Sequence, residues 1–147
     1  MLRKIDEVIE DLNALGENDF KNAASGFDRL QEFCDELQDA NDPAACIPAM
    51  FRAMERLEDF DLGSPGPLVH TLEDWSCKYE ASLAESVMRK PTPLSLWMVN
   101  RILNGDPKDA STWIAVMRSV LDNPCASVLA KEQTQGFLMY QSERQTN

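Results

Sequence analysis

His70 is the single histidine of a 147-residue chain, and Glu73 and Asp74 follow it three and four residues later. On a helix those spacings bring a carboxylate beside the imidazole, the pairing a general base needs. The stretch before it, GSPGP at residues 63–67, loosely resembles a phosphate-cradling turn. Neither feature completes a site. The turn lacks the P-loop lysine and no strand pattern precedes it. No G-x-S-x-G supplies a nucleophile. Helical di-iron sites need Glu-x-x-His twice, and this chain has one histidine in the reverse order. Cys34, Cys46, Cys77 and Cys125 include no C-x-x-C pair, so they and one histidine make no zinc set. The sequence predicts no catalytic residue, no metal site and no cofactor; it predicts a chain that is not an enzyme. His70 reads as a packed or surface imidazole, and the cysteines read as small buried hydrophobes in a reducing cytosol.

What must hold these residues in place is a set of helices. Asp42-Pro43, Ser64-Pro65, Thr92-Pro93, Asp106-Pro107 and Asn123-Pro124 each put a capping residue before a proline. That pair suits a helix start: the side chain accepts an orphan N–H, and proline has none to lose. Apolar residues at spacings of three and four follow most of the pairs, and no segment alternates with period two. The spacing predicts helices over 2–15, 20–40, from Pro43, from Pro65, over roughly 80–89, from Pro93 to Asn104, from Pro107 to Leu121, and from Pro124 to Tyr140. Ser64 then caps a helix and Gly63 serves the turn before it. The expected fold is all-α, seven or eight short antiparallel helices in a bundle or a HEAT-like stack of helical hairpins. It forms one domain over 1–141, with a frayed tail at 142–147.

The predicted stripes are Leu2, Ile5, Val8, Ile9, Leu12 and Leu15 in the first helix and Phe27, Leu30, Phe33, Cys34 and Leu37 in the second. The third carries Ile47, Met50, Phe51, Met54 and Leu57, and the fourth Leu68, Val69, Leu72 and Trp75. The helix from Pro93 is apolar on most sides, so it is expected at the centre. Asn100 and Arg101 then serve as inter-helix hydrogen bonders. Trp75, Trp97 and Trp113 pack in the core, and one at an edge would make a binding anchor.

Charge gives the clearest functional signal. The net charge is −11, with 25 acids against 14 bases. Residues 1–40 hold 11 acids and 4 bases, residues 41–80 hold 8 and 3, and residues 81–147 hold 6 and 7. The entire excess lies in the first 80 positions. Such a chain repels phosphate backbones and attracts basic proteins. Asp28, Glu32, Asp35, Glu36 and Asp39 fall on one side of the second helix, opposite Leu30 and Leu37. Asp6, Glu7, Glu10 and Asp11 make a similar face on the first. Glu55, Glu58, Asp59 and Asp61 crowd the end of the third and its loop, and Glu73, Asp74 and Glu80 follow on the fourth. Like charges at i,i+4 cost a helix a few tenths of a kcal/mol each, which points to a basic partner. The N-terminus turns acidic by residue 6 without an apolar stretch, so no signal peptide is expected. No run reaches the ~20 apolar residues of a membrane span. The expected location is the cytoplasm.

The block from Gly63 to Gly105, with GSPGPLVHTLE, Tyr79 and RKPTPLSLWMVNRILNG, resembles small bacterial immunity proteins of polymorphic-toxin and contact-dependent growth inhibition systems. The residues that carry the resemblance are Gly63, Pro65, Gly66, Pro67, Trp97, Asn100 and Arg101. The resemblance implies a cytoplasmic protein that binds one cognate toxin domain and blocks it, such toxins often being nucleases with basic clefts. It carries over no site, because the toxin-contacting surface of such proteins varies with the toxin. The charge pattern nominates Asp35, Glu36, Asp39, Glu58, Asp59, Asp61, Glu73 and Asp74 as the partner-binding residues, in one fused acidic patch. The partner is a basic protein, with no direct nucleic acid and no membrane. The alternative is a helical adaptor that docks a basic peptide or a regulatory partner.

Overall fold

Thr92 starts the helix at Pro93 as the sequence predicts. Its Oγ1 accepts the Ser95 amide at 3.2 Å, and Ser95 Oγ accepts the Thr92 amide at 3.0 Å. This reciprocal pair satisfies two orphan donors inside a buried helix end. The computed structural model to which this helix belongs describes residues 4–39, 42–63, 65–75 and 78–145. Among them it is all-α, with no strand. The helices are α1 Ile5–Ala14, α2 Ala23–Gln38, α3 Ile47–Arg56, α4 Pro67–Glu73, α5 Glu80–Arg89, α6 Pro93–Asn104, α7 Ala110–Ser119 and α8 Val128–Gln145. Short 3-10 turns lie at Glu17–Phe20, Pro43–Ala45 and Val120–Asp122.

The chain divides into two compact units, residues 1–82 and 83–147. In the first, α1 packs on α2 and α3, and α4 packs on α2 and α3. Its core holds most of the predicted stripes. Val8, Leu12, Leu15, Leu30, Phe33, Cys34 and Leu37 are buried, as are all five predicted positions of α3 and Leu68, Val69 and Leu72 of α4. Leu2 lies outside the described residues. In the second unit, α6 packs on α7 and α8, and α7 packs on α8. Leu96, Met98, Val99 and Leu103 of α6 are buried there, with Asn100 among them.

The other proline pairs behave differently, each for a local reason. Pro43 opens only a 3-10 turn, and α3 begins at Ile47. The fourth helix starts at Pro67 rather than Pro65, because Gly66 takes φ +87° and cannot be helical. Ser64, the expected cap, lies outside the described residues. α7 begins at Ala110, well past Pro107, since Asp106 holds φ +52° at the end of α6. α8 begins at Val128 because Asn123 forms a turn instead of a cap: its Oδ1 accepts the Cys125 amide at 2.8 Å, and its Nδ2 donates to Met88 O at 3.0 Å. The tail expected to fray is helical as far as Gln145.

α1 has no C-terminal glycine in the left-handed conformation; Gly16 lies past its end with φ −145°. Its last carbonyls are satisfied from a distance. Arg56 Nε donates to Leu15 O at 3.0 Å and Nη2 to Leu12 O at 2.9 Å. Between α3 and α4, Gly63 and Gly66 fold back on each other at φ +103° and +87°. A Cβ on Gly66 would stand 1.8 Å from Leu62 O, so only glycine fits. Gly66→Ala therefore destabilises the chain by about 2 kcal/mol or more. Arg56→Met loses both carbonyl contacts and costs about 1–3 kcal/mol. Urea unfolding followed by circular dichroism checks both, and a loss below about 1 kcal/mol for Gly66→Ala would contradict this account of the loop.

Candidate functional site

The eight acidic positions all lie in the first unit, and the helix packing sorts them. A Cβ on Gly63 would lie 3.5 Å from the Phe27 ring, and the Thr71 side chain hydrogen-bonds the Cys34 thiol. α4 therefore runs alongside α2 in the same direction. Glu73 and Asp74 come beside the end of α2 that carries Asp35, Glu36 and Asp39. The segment with Glu58, Asp59 and Asp61 belongs to the other end, where Phe60 stacks on Phe20 with ring centroids 5.2 Å apart. From Phe27 to Asp35 the helix rises about 12 Å. The patch expected as one is thus two groups at opposite ends of α2.

Asp39, Asp59 and Asp74 are exposed, and among the described residues their carboxylates make no hydrogen bond or ion pair. Asp35 accepts Gln31 Nε2 at 3.0 Å, and Asp61 Oδ1 accepts the Gly63 amide at 2.9 Å. Glu36, Glu58 and Glu73 are half-buried, and each already engages another group. The unit's arginines are largely committed elsewhere. Arg56 holds the end of α1, Arg29 lies 5.3 Å over the Phe33 ring, and Arg52 sits 3.8 Å from the buried Glu55.

His70 is exposed on α4. Among the described residues, no three of His, Cys, Asp and Glu gather closely enough to hold a metal ion. Nor is any described helix long and apolar enough to cross a membrane. Cys34 and Cys46 are buried, and Cys125 is exposed; Cys77 lies outside the described residues. Burial pushes the Cys34 thiol from its ordinary 9.0 up to about 12, with the charge of Asp35 adding and the bond to Thr71 subtracting.

The second unit carries a feature that the sequence reading missed. The packed face of α8 is Ala130, Thr134 and Gln141, all small or polar. Val128, Leu129, Met139 and Tyr140 are exposed instead, at 76%, 53%, 66% and 45%. Phe137 and Leu138 are half-buried on the packed side, so the helix carries apolar residues on both sides. Its buried polar groups are nevertheless satisfied. Gln141 Nε2 donates to Asn100 Oδ1 at 2.7 Å and Asn104 Oδ1 at 2.9 Å, while its Oε1 accepts Arg144 Nη1 at 2.8 Å. Arg144 reaches the last carbonyls of α6, Leu103 O and Asn104 O, both at 3.3 Å. Asn100 is the inter-helix hydrogen bonder that the sequence suggested. Arg101 is exposed, its guanidinium 4.7 Å over the Trp97 ring, and Arg144 is the arginine that closes the helix end. Trp113 is buried; Trp75 and Trp97 are half-buried. The signal that could have revealed the exposed face is Gly136, a glycine midway along an 18-residue helix with the apolar run Phe137, Leu138, Met139 and Tyr140 directly after it.

The thiols give a direct check. Cys125 reacts with a thiol reagent in the native protein, whereas Cys34 reacts only on unfolding. The folded Cys34 pKa lies above the unfolded value, so its contribution is complete below pH 9 and is lost as pH rises towards 12. Stability falls over that window by about 1.4 kcal/mol per pH unit, and Cys34→Ala removes that part of the slope. Denaturant titrations at several alkaline pH values read it, and an unchanged slope in the variant would refute the assignment.

No family model, curated protein or solved structure matches this chain in comparisons of its sequence and fold.

Proposed function

We propose that the chain is an immunity protein, which binds a cognate toxin domain in the cytoplasm and blocks it by occlusion. The toxin in this reading is a basic protein, a nuclease with a phosphate-binding cleft. The acidic surface of the first unit occupies that cleft in place of nucleic acid. The observation that carries the reading is the segregation of charge along the fold. Residues 1–82 hold 19 acids and 7 bases, and residues 83–147 hold 6 and 7. The resemblance of residues 63–105 to immunity proteins supports it from a separate direction.

The commitments of the arginines add to this support. Arg29, Arg52 and Arg56 are engaged on a ring, a buried glutamate and backbone carbonyls, so none of them pairs directly with the exposed Asp35, Asp39, Asp59, Asp61 or Asp74. A surface of that kind raises the association rate with a basic partner and makes it salt-dependent. Asp35, Asp39, Glu73 and Asp74 form the denser group and make the principal contact. Asp59 and Asp61 contribute mainly long-range attraction.

The test is co-expression with a toxin domain encoded beside this gene, followed by binding kinetics. The wild-type chain restores growth. Asp39→Lys with Asp74→Lys, both at exposed positions, slows association by about tenfold at low salt and less at high salt. Asp59→Lys with Asp61→Lys gives a smaller effect. Failure to restore growth, or unchanged association for both double variants at low and high salt, would overturn the reading.

A further inference from the structure

Along α8, Glu132, Gly136 and Tyr140 follow one another at i, i+4 and i+8, so they form one ridge of the helix. The ridge lacks its middle side chain. A Cβ on Gly136 would meet nothing within 4 Å, so no neighbour requires a glycine there. A glycine inside a helix costs about 1 kcal/mol relative to alanine, and nothing in the fold returns that cost. What the gap does create is a slot. It opens a groove of about 550 Å³ over α8 and Asn100 of α6, lined also by Leu129 and Phe137.

The chemistry of the slot is specific. One end is the Glu132 carboxylate, which is exposed and makes no hydrogen bond or ion pair among the described residues. The other is the Tyr140 ring, with Phe137 beside it. Among the described residues, no lysine or arginine lines the groove. Glu132 and Tyr140 are separated by about 12 Å of helix rise. A carboxylate, two aromatic rings, Leu129 and the amides of Asn100 and Gln133 around an open slot match a long cationic side chain. Its stem covers apolar surface while its head meets the carboxylate and the ring faces. Guanidinium suits this better than ammonium, because it forks onto a carboxylate and stacks on a ring at once. A second copy of the chain is a poorer occupant, since its own groove would bring another glutamate towards Glu132.

We propose that the α8 groove is a binding site for an arginine side chain of a protein partner, with Glu132 receiving the guanidinium and Gly136 providing the floor. The site goes beyond the acidic surface of the first unit and stands on different residues. It gives a basic partner a specific point of attachment.

The test uses the full chain and a small probe, N-acetyl-arginine methylamide, with the citrulline analogue as its neutral isostere. Backbone amide resonances report where each binds. The arginine probe produces saturable shifts centred on residues 129–140, and the citrulline probe produces none there. Glu132→Gln weakens the arginine probe by about tenfold. Gly136→Leu abolishes the shifts while leaving the melting temperature equal or higher, which separates a blocked groove from a misfolded one. Asp39→Lys with Asp74→Lys leaves the α8 shifts intact, so failure of the acidic-surface reading is distinguishable from failure of this one. Equal shifts with both probes, shifts confined to the first unit, or binding that survives Gly136→Leu would each overturn the proposal. So would concentration-dependent shifts of the same amides without probe, which would assign the groove to a second copy.

Discussion

A short helix must dispose of its last carbonyls, and in this protein an arginine from another helix does it in each unit. Arg56 of α3 holds Leu12 and Leu15 at the end of α1, and Arg144 of α8 holds Leu103 and Asn104 at the end of α6. The last four carbonyls of any helix lack intrahelical partners, and in helices of 10 and 12 residues that is a large share of the whole. An arginine serves because its fork reaches two acceptors and stays charged. Burial lowers the Arg56 pKa, the mark of a cation partly withdrawn from water to do this work.

Much of this organisation was legible in the sequence. The period of the apolar residues gave α1, α2 and α3 their buried faces, because burial of a stripe is what makes a short helix stable. Thr92-Pro93 was legible because Thr, Pro and Ser95 form a self-contained cap. The starts of α4, α7 and α8 were not, because backbone conformation overrode the proline rule. Gly66 and Asp106 at positive φ, and Asn123 bonded to Cys125 and Met88, consume the residues that would otherwise cap. Such choices depend on what the loop must reach, which no local pattern records. The direction of α4 along α2 was equally hidden, and with it the division of the acidic residues into two groups.

α8 was the least legible element. Its packed side mixes Thr134 and Gln141 with half-buried Phe137 and Leu138, while Val128, Leu129, Met139 and Tyr140 are exposed, so a rule that equates apolar with buried inverts part of it. The inversion is tolerable because Gln141 is fully engaged and Thr134 bonds back to Ala130 O at 2.9 Å. A buried amide that makes all its bonds costs little, whereas one left unpaired costs a great deal. The two units therefore carry complementary endowments, net charge in one and uncovered apolar surface in the other. In protein association, long-range attraction sets the encounter and desolvated contact sets its duration.

The arginine closures have a kinetic corollary. The carbonyls of α1 wait for a guanidinium 41 and 44 residues further along, and those of α6 for one 40 and 41 residues along. Local bonds close part of each end, since the Leu15 amide donates to Leu12 O and the Asp106 amide to Leu103 O, and the arginine bonds are added only when a loop of that length has closed. Topology of this kind couples the last turns of α1 and α6 to the docking of α3 and α8, so those turns gain their full protection from solvent exchange only in the assembled unit.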